Sequence, residues 1–92
     1  MAILTVFNLP TMNAQNYDQV VKNLESAGYG KPKGRLYHTA SLQEDGSMIV
    51  TDVWESAELL TELGEALIPA LQKAGVTPVE PTVYAIHNII EG

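Results

Sequence analysis

The chain has 92 residues, enough for one domain, because so short a sequence cannot fill a second hydrophobic core. Hydrophobic residues make up 46% of it and charged residues 17%, a composition that excludes an intrinsically disordered chain. Five cations against eleven acids give a net charge of -6, which excludes nucleic acids and anionic membranes as partners. The absence of cysteine excludes disulfides and thiolate metal sites.

The N-terminus has neither the pattern of an export signal nor that of a membrane anchor. It begins with the apolar stretch MAILTVFNLP, which lacks a basic region and a small-residue cleavage site. Pro10 interrupts it far short of the roughly 20 apolar residues that cross a bilayer. We therefore expect a cytoplasmic protein. Since a domain of this size buries only about 60% of its unfolded surface, we also expect a second subunit to help stabilise it.

The first part of the chain predicts a strand followed by a helix. Residues 2–8 are rich in β-branched and aromatic side chains and end before Pro10. Asn13 or Thr11 can cap the helix, and Gly28 can supply its left-handed end. The helix is predicted from an apolar stripe spaced at three and four residues, formed by Tyr17, Val20, Val21 and Leu24.

The rest of the chain predicts a hairpin, a second helix and a last strand. Residues 35–43 and 48–55 alternate in polarity across a turn at Glu44-Asp45-Gly46-Ser47. Ser56 can cap the second helix, and Pro69 predicts a kink or break near residues 65–68, with a last turn ending at Gly75. Residues 82–90 form the final β-branched strand. The second helix carries an apolar stripe of Leu59, Leu60, Leu63, Leu67 and Leu71.

The element order βαββαβ predicts an α+β fold of the ferredoxin-like type. This fold has a four-stranded antiparallel sheet with two helices on one face. The other face of the sheet is then left uncovered. Because an exposed apolar sheet face tends to be buried against a second copy, the order predicts a homodimer in which two sheets form a dimeric α+β barrel.

The turn at residues 44–47 sets the register of the hairpin. Partners whose numbers sum to 90 place His38 opposite Asp52 and Leu36 opposite Trp54. A slip of one residue would put His38 and Asp52 on opposite faces, so the pair depends on this turn. The more apolar face, predicted to lie under the helices, carries Leu36, His38, Ala40, Leu42, Met48, Val50, Asp52 and Trp54. The dimer-facing set is Arg35, Tyr37, Thr39, Ser41, Ile49, Thr51, Val53 and Glu55.

A His-Asp pair under the helices is the best candidate for chemistry. Asp52 can accept a hydrogen bond from one imidazole nitrogen of His38 and so fix the tautomer. The other nitrogen would then be a general base that faces a cavity free for ligand. We expect Asp52 and His38 to be the catalytic pair. The ligand-binding wall is predicted to comprise Trp54, Tyr17, Met48 and, from the last strand, His87.

Other interpretations of these residues stay open. The alternative to a catalytic pair is a satisfied buried hydrogen bond without a catalytic role. His38, Asp52 and His87 have the composition of a two-His, one-carboxylate metal set, but nothing in their spacing favours one, and no metal is predicted. The cations Lys31, Lys33 and Arg35 lie in one short loop, which is either solvated or the site of a single anion contact. No serine elbow and no glycine-rich phosphate loop occurs.

The segment Asp52-Val53-Trp54-Glu55-Ser56 carries a family resemblance. In length, element order and this motif, the whole chain resembles the dimeric α+β barrel superfamily, in particular its antibiotic biosynthesis monooxygenase-like group. It is most similar to bacterial members of that group in the strings Gly-Arg-Leu-Tyr-His (residues 34–38), Asp-Val-Trp-Glu-Ser (52–56) and Ile-His-Asn-Ile-Ile (86–90).

The resemblance implies a homodimer whose ligand lies between the sheet and the helices. The group includes cofactor-independent oxygenases of aromatic polyketides, haem-degrading enzymes and small lactone or enol isomerases. The tryptophan of the motif corresponds to Trp54. A histidine that the group often carries in the second helix is absent near Leu63 and Gly64, which disfavours haem degradation, and the active-site asparagine of the family has no secure counterpart in Asn8 or Asn88.

These observations predict a homodimer that binds a small hydrophobic or aromatic molecule. His38 would be its base, Asp52 would orient His38, and Trp54 would be a stacking wall. A deprotonated aromatic substrate can pass an electron to O2 without a cofactor, as a monooxygenase-like enzyme requires. The alternatives are a small isomerase that uses the same base, and a non-catalytic ligand-binding or structural dimer.

Overall fold

The sheet and the two helices follow the predicted order. A computed structural model describes all 92 residues, as six elements: β1 (Ile3–Leu9), α1 (Ala14–Ser26), β2 (Arg35–Leu42), β3 (Met48–Trp54), α2 (Ala57–Lys73) and β4 (Thr82–Ala85). The strands form one antiparallel sheet in the order β2-β3-β1-β4. The predicted α+β, ferredoxin-like architecture is confirmed.

The core lies between one face of the sheet and both helices. Burial alternates along the two central strands, because successive side chains of a strand point to opposite faces. Val20 and Leu24 of α1, and Leu63 and Leu71 of α2, pack in the same core. The sheet contributes Ile3, Thr5, Phe7 and Leu9 from β1, and Met48, Val50, Asp52 and Trp54 from β3, all buried. No helix is long and apolar enough to cross a membrane.

Both helices end in the same hydrogen-bonded motif. At the end of α1, Tyr29 N donates to the Leu24 carbonyl at 2.8 Å, and Gly28 adopts φ +90°. At the end of α2, Val76 N donates to the Leu71 carbonyl at 2.9 Å, with Gly75 at φ +78°. These are Schellman motifs, in which a left-handed glycine lets the chain reverse. They fix where Tyr29 and Val76 leave the helices.

The predicted break in α2 is wrong. The helix runs without interruption from Ala57 to Lys73 through Pro69. Ala70 and Leu71, directly after the proline, are 5% and 4% exposed, and the Asn23 side chain of α1 donates to the Ala70 carbonyl at 3.1 Å. Packing and this bond hold the turn together although proline removes a backbone donor. Ser56 caps the helix as predicted, accepting from Leu59 N.

The hairpin register is confirmed over most of its length and wrong at its open end. Pairs from Tyr37↔Val53 to Leu42↔Met48, including His38↔Asp52, follow the predicted sum. The register shifts between Arg35 and Tyr37, so that Arg35, not Leu36, lies opposite Trp54. This irregularity is a β-bulge, which sets two residues of β2 against one of β3.

The last strand is shorter than predicted. It ends at Ala85 rather than at residue 90, and Ile86 N makes one further bond, to the Ala2 carbonyl, at 3.1 Å. β4 is an edge strand, and all four of its residues are exposed. His87 therefore lies outside the sheet and is exposed.

Candidate functional site

Three side chains from three different elements form one hydrogen-bonded chain. His38 Nδ1 of β2 lies 2.5 Å from Asp52 Oδ1 of β3, and His38 Nε2 lies 2.6 Å from the Tyr17 hydroxyl of α1. Asp52 is only 4% exposed, whereas His38 and Tyr17 are half-buried. The aromatic rings of Tyr17 and His38 are nearly parallel, with an angle of 8° between them.

The partners of His38 fix its tautomer. A carboxylate can only accept, so His38 Nδ1 carries the proton and donates it to Asp52. In the neutral imidazole Nε2 is then an acceptor, and the Tyr17 hydroxyl donates to it. The prediction that this nitrogen is free toward a cavity is wrong, because α1 lies across the sheet at a position that brings Tyr17 onto it.

Tyr17 is held in its neutral form. Burial raises the pKa of its hydroxyl above the ordinary value, the charges of Asp52 and Asp18 raise it further, and the charge of Arg35 opposes them. In its neutral form the Tyr17 hydroxyl keeps its proton and donates a hydrogen bond to His38. The site can thus take up a proton at Tyr17 only if Tyr17 passes its own proton to His38.

The hydrogen-bonded chain opens onto an apolar cavity of about 140 Å³ between the sheet and the helices. Twelve of its sixteen lining residues are hydrophobic. Besides Tyr17, His38 and Asp52, its wall comprises Phe7, Leu9, Met12, Val20, Val21, Leu24, Tyr29, Gly30, Arg35, Val50, Leu63, Leu67 and Leu71. A small molecule in this cavity would contact mainly hydrophobic side chains, with Tyr17, His38 and Asp52 as polar groups in the wall.

Three residues predicted for the wall do not line this cavity. Val50 and Asp52 reach it from the middle of β3, whereas Met48 and Trp54 lie at the two ends of that strand and belong to the closed core. Trp54 is fully buried, and its indole Nε1 has no hydrogen-bond partner. His87 lies beyond the end of β4. Only Tyr17 of the four predicted wall residues lines the cavity.

Arg35 and Tyr29 are among the lining residues that were not predicted. Arg35 was assigned to the dimer face, but the bulge after it turns it toward the cavity, and an irregularity of one residue leaves no mark in the polarity pattern. Tyr29 follows Gly28, and an apolar residue after a left-handed helix-ending glycine commonly packs back on the helix. That signal was available in the sequence.

The site offers acid-base groups rather than a ligand set for a metal. No group of three or more His, Asp or Glu residues is arranged to hold an ion, and His87 is not brought to the His38-Asp52 pair. What the arrangement can do is transfer protons: Tyr17 and His38 exchange one, and Asp52 stabilises the imidazolium that results.

Comparison with solved structures gives the class to which the fold belongs. A candidate antibiotic biosynthesis monooxygenase from Deinococcus radiodurans is 21% identical, with a TM-score of 0.61 over 99% of this chain and 97% of that one. SnoaB, a cofactor-independent oxygenase from Streptomyces nogalater, in a mutant form, is 12% identical, with a TM-score of 0.65 over 99% and 96%. A candidate antibiotic biosynthesis monooxygenase from Caulobacter crescentus is 16% identical, with a TM-score of 0.53 over 97% and 89%.

These neighbours are proteins of the group that the sequence resembles, and this chain has their fold over nearly its whole length. No protein-family profile and no curated protein sequence matches the chain.

Proposed function

We propose that this protein is a homodimeric, cofactor-independent, monooxygenase-like enzyme that deprotonates a small aromatic hydroxyl compound in its apolar cavity. The observation that carries this proposal is the chain Tyr17–His38–Asp52, which ends at the wall of that cavity. The shared fold with a cofactor-independent oxygenase supports it. We also propose a cytoplasmic location, because the sequence shows no pattern of an export signal.

The proton moves in a relay. The substrate hydroxyl gives its proton to the Tyr17 oxygen as Tyr17 gives its own to His38 Nε2. The products of this step are a substrate phenolate and a His38 imidazolium, which Asp52 stabilises through Nδ1. Tyr17 contacts the substrate hydroxyl, and His38 receives the proton that Tyr17 releases. Asp52 positions His38.

The oxygen step needs no reductant beyond the substrate. The electron-rich phenolate transfers an electron to O2, and the two radicals combine at a ring carbon. Loss of water then converts the ring C–H into C=O: a phenol plus O2 gives a quinone plus water. The substrate loses four electrons and O2 gains four, with one oxygen atom in the quinone and the other in water. The apolar wall limits the contact of the reactive anion with bulk water.

The test is oxygen uptake with a panel of electron-rich, single-ring phenols in the presence of a metal chelator. His38→Ala should lower kcat/KM by about 10²- to 10⁴-fold, the usual contribution of a positioned base. Tyr17→Phe should have a similar effect, since it interrupts the relay. His87→Ala is the matched control for His38→Ala, because His87 is exposed and lies outside the apolar cavity. Circular dichroism checks the fold of each variant. Turnover that survives both His38→Ala and Tyr17→Phe would contradict the proposal.

A small isomerase is the second candidate, and the hydrogen bond between Tyr17 and His38 favours it specifically. A 1,3-proton shift needs one group to remove a proton and another to return one, and these two groups adjoin. An enol or lactone substrate would then incorporate deuterium from D2O without consuming O2. Binding without oxygen uptake or exchange would instead indicate a non-catalytic dimer.

The homodimer is proposed from the sheet face opposite the helices. Leu4, Val6, Ile49 and Val53 are only partly buried there, and Tyr84 of β4 is exposed beside Leu4. A second copy placed on this face would bury these apolar side chains. Each subunit would keep its own cavity, on the other side of its sheet.

A further inference from the structure

Cations gather just before and at the start of β2 in a protein that is otherwise acidic. Three of the five cations in the sequence lie within residues 31–35, against a net charge of -6. A second, open cleft of about 240 Å³ is lined by Lys31, Pro32, Arg35, Leu36, Tyr37 and His38. Arg35 and His38 line both spaces, so they form the wall between the apolar cavity and the cleft.

Arg35 has no carboxylate partner within 4.0 Å in the protein. The His38-Asp52 pair is the only ion pair within 4.0 Å, and Asp52 is the only acidic residue that lines either space. Arg35 is half-buried at the first residue of β2, where the backbone holds it in place. A half-buried guanidinium that has no carboxylate partner can bind an anion through its N–H donors. The planar arrangement of these donors matches the two oxygens of a carboxylate.

The turn before β2 holds this charge in position. Gly34 adopts φ +86°, and its carbonyl accepts from Glu55 N at 2.8 Å. Together with the bulge after Arg35, this bond fixes the end of the hairpin so that Arg35 faces the cavity. Lys31, three residues before Gly34, is exposed in the cleft and adds a second cation.

The volume of the cavity limits the size of the apolar group that carries the anion. A dry cavity of about 150 Å³ accepts benzene. At about 140 Å³, the cavity fits one six-membered ring. A fused three-ring system would not fit without movement of α1 or α2.

We propose that the ligand is a single-ring aromatic carboxylic acid. The ring lies in the apolar cavity, a ring hydroxyl contacts Tyr17, and the carboxylate binds Arg35 at the boundary with the cleft, with Lys31 nearby. The inference rests on the proposed function only in that both use the same cavity. It adds the charge and the size of the substrate.

The test compares two probes, 4-hydroxybenzoate and phenol, by isothermal titration calorimetry at low ionic strength. They share the ring and the hydroxyl and differ in the carboxylate. The wild-type protein should bind 4-hydroxybenzoate at least about tenfold more tightly, because charge-assisted hydrogen bonds contribute more than 1.4 kcal/mol. This preference should decrease as salt is added, while phenol binding stays constant.

Arg35→Gln should remove the preference, because it weakens the binding of 4-hydroxybenzoate far more than that of phenol. Lys22→Gln is the matched control, since Lys22 is an exposed cation on α1 outside both spaces, and it should change neither affinity. Arg35→Lys keeps the charge but not the fork, so it should retain part of the preference. It also serves as the test if Arg35→Gln does not fold.

Equal affinities of the wild-type protein for the two probes would overturn the carboxylate and leave the cavity intact. So would a preference for 4-hydroxybenzoate that is unchanged in Arg35→Gln, or unchanged in Arg35→Lys where that is the variant that folds. Failure of both probes to bind would overturn the ligand inference and the proposed function together.

Discussion

At the scale of single residues, the polar groups beneath the helices differ in how well they are satisfied. Asp52 is bound by His38, whereas its partner across the sheet, Thr5, is fully buried with a hydroxyl that has no hydrogen-bond partner. The Trp54 indole is also without one. A buried polar group without a partner loses its hydrogen bonds to water and gains none in the protein, which lowers the stability of the fold. The polar residues of this face therefore do not all contribute to stability.

Thr5→Val is expected to leave stability unchanged or to raise it by up to about 1 kcal/mol, because valine has the same shape without the unpaired hydroxyl. The matched control is Thr51→Val on the opposite face of the sheet, where Thr51 and Thr39 share a hydrogen bond. That change should cost about 0.5 kcal/mol. Urea unfolding of both variants measures the difference. A loss above 1 kcal/mol for Thr5→Val would mean that Thr5 has a partner in solution.

At the scale of elements, the start of β2 decides how the site is built. A Cβ atom on Gly34 would lie 2.2 Å from Leu59 Cδ1, so only glycine lets α2 approach β2 this closely. The same glycine has a positive φ, which L-residues rarely adopt. Gly46 in the hairpin turn has the same φ, +86°, but no atom within 4 Å of such a Cβ. Substitutions at Gly34 and Gly46 therefore share the cost of backbone strain, and only the one at Gly34 adds the cost of a close contact.

Gly34→Ala should destabilise the protein by about 2–4 kcal/mol, the sum of a left-handed conformation and an overpacked contact. Gly46→Ala should cost about 1–2 kcal/mol, from conformation alone. Thermal and urea unfolding of the two variants measure the difference. Because Gly34 also holds Arg35 in place, Gly34→Ala should weaken the binding of 4-hydroxybenzoate more than that of phenol. Equal destabilisation by both alanines would contradict the close contact with Leu59.

At the scale of the whole molecule, the open sheet face gives a prediction about assembly. Val6 lies in β1, one of the two central strands of the sheet, on the face away from the helices, paired with Thr51. Val6→Asp would bury a charge in the proposed dimer interface and should weaken the dimer at least about a hundredfold, roughly 3 kcal/mol. Ile68→Asp is the control, because Ile68 is an exposed apolar residue of α2.

Size-exclusion chromatography with light scattering measures both variants against the wild-type protein. We expect a wild-type dimer, a Val6→Asp monomer that keeps its circular dichroism spectrum, and an Ile68→Asp dimer. A wild-type monomer at all concentrations would contradict the barrel. A folded Val6→Asp dimer would show that the subunits meet elsewhere.

Local patterns in the sequence determined the element order, the Ser56 cap and the hairpin register from residue 37 to residue 53, and they limited the cap of α1 to Asn13 or Thr11. Each of these depends on neighbours along the chain: a side chain bonds to a backbone group three residues on, or a turn fixes which residues of two adjoining strands face each other. For that reason the pairing of His38 with Asp52 was predictable. The alternation of the two hairpin strands also predicted which side of the sheet the helices cover.

The tertiary structure alone decided what surrounds that pair. The bond from Tyr17 to His38 depends on where α1 lies across the sheet, and the place of Arg35 depends on one extra residue in β2. Burial of Trp54, continuation of α2 through Pro69 and the early end of β4 follow from packing between distant segments. Polarity patterns report which face of an element is buried. They do not report how two elements are positioned on each other, and that position sets the chemistry of this cavity.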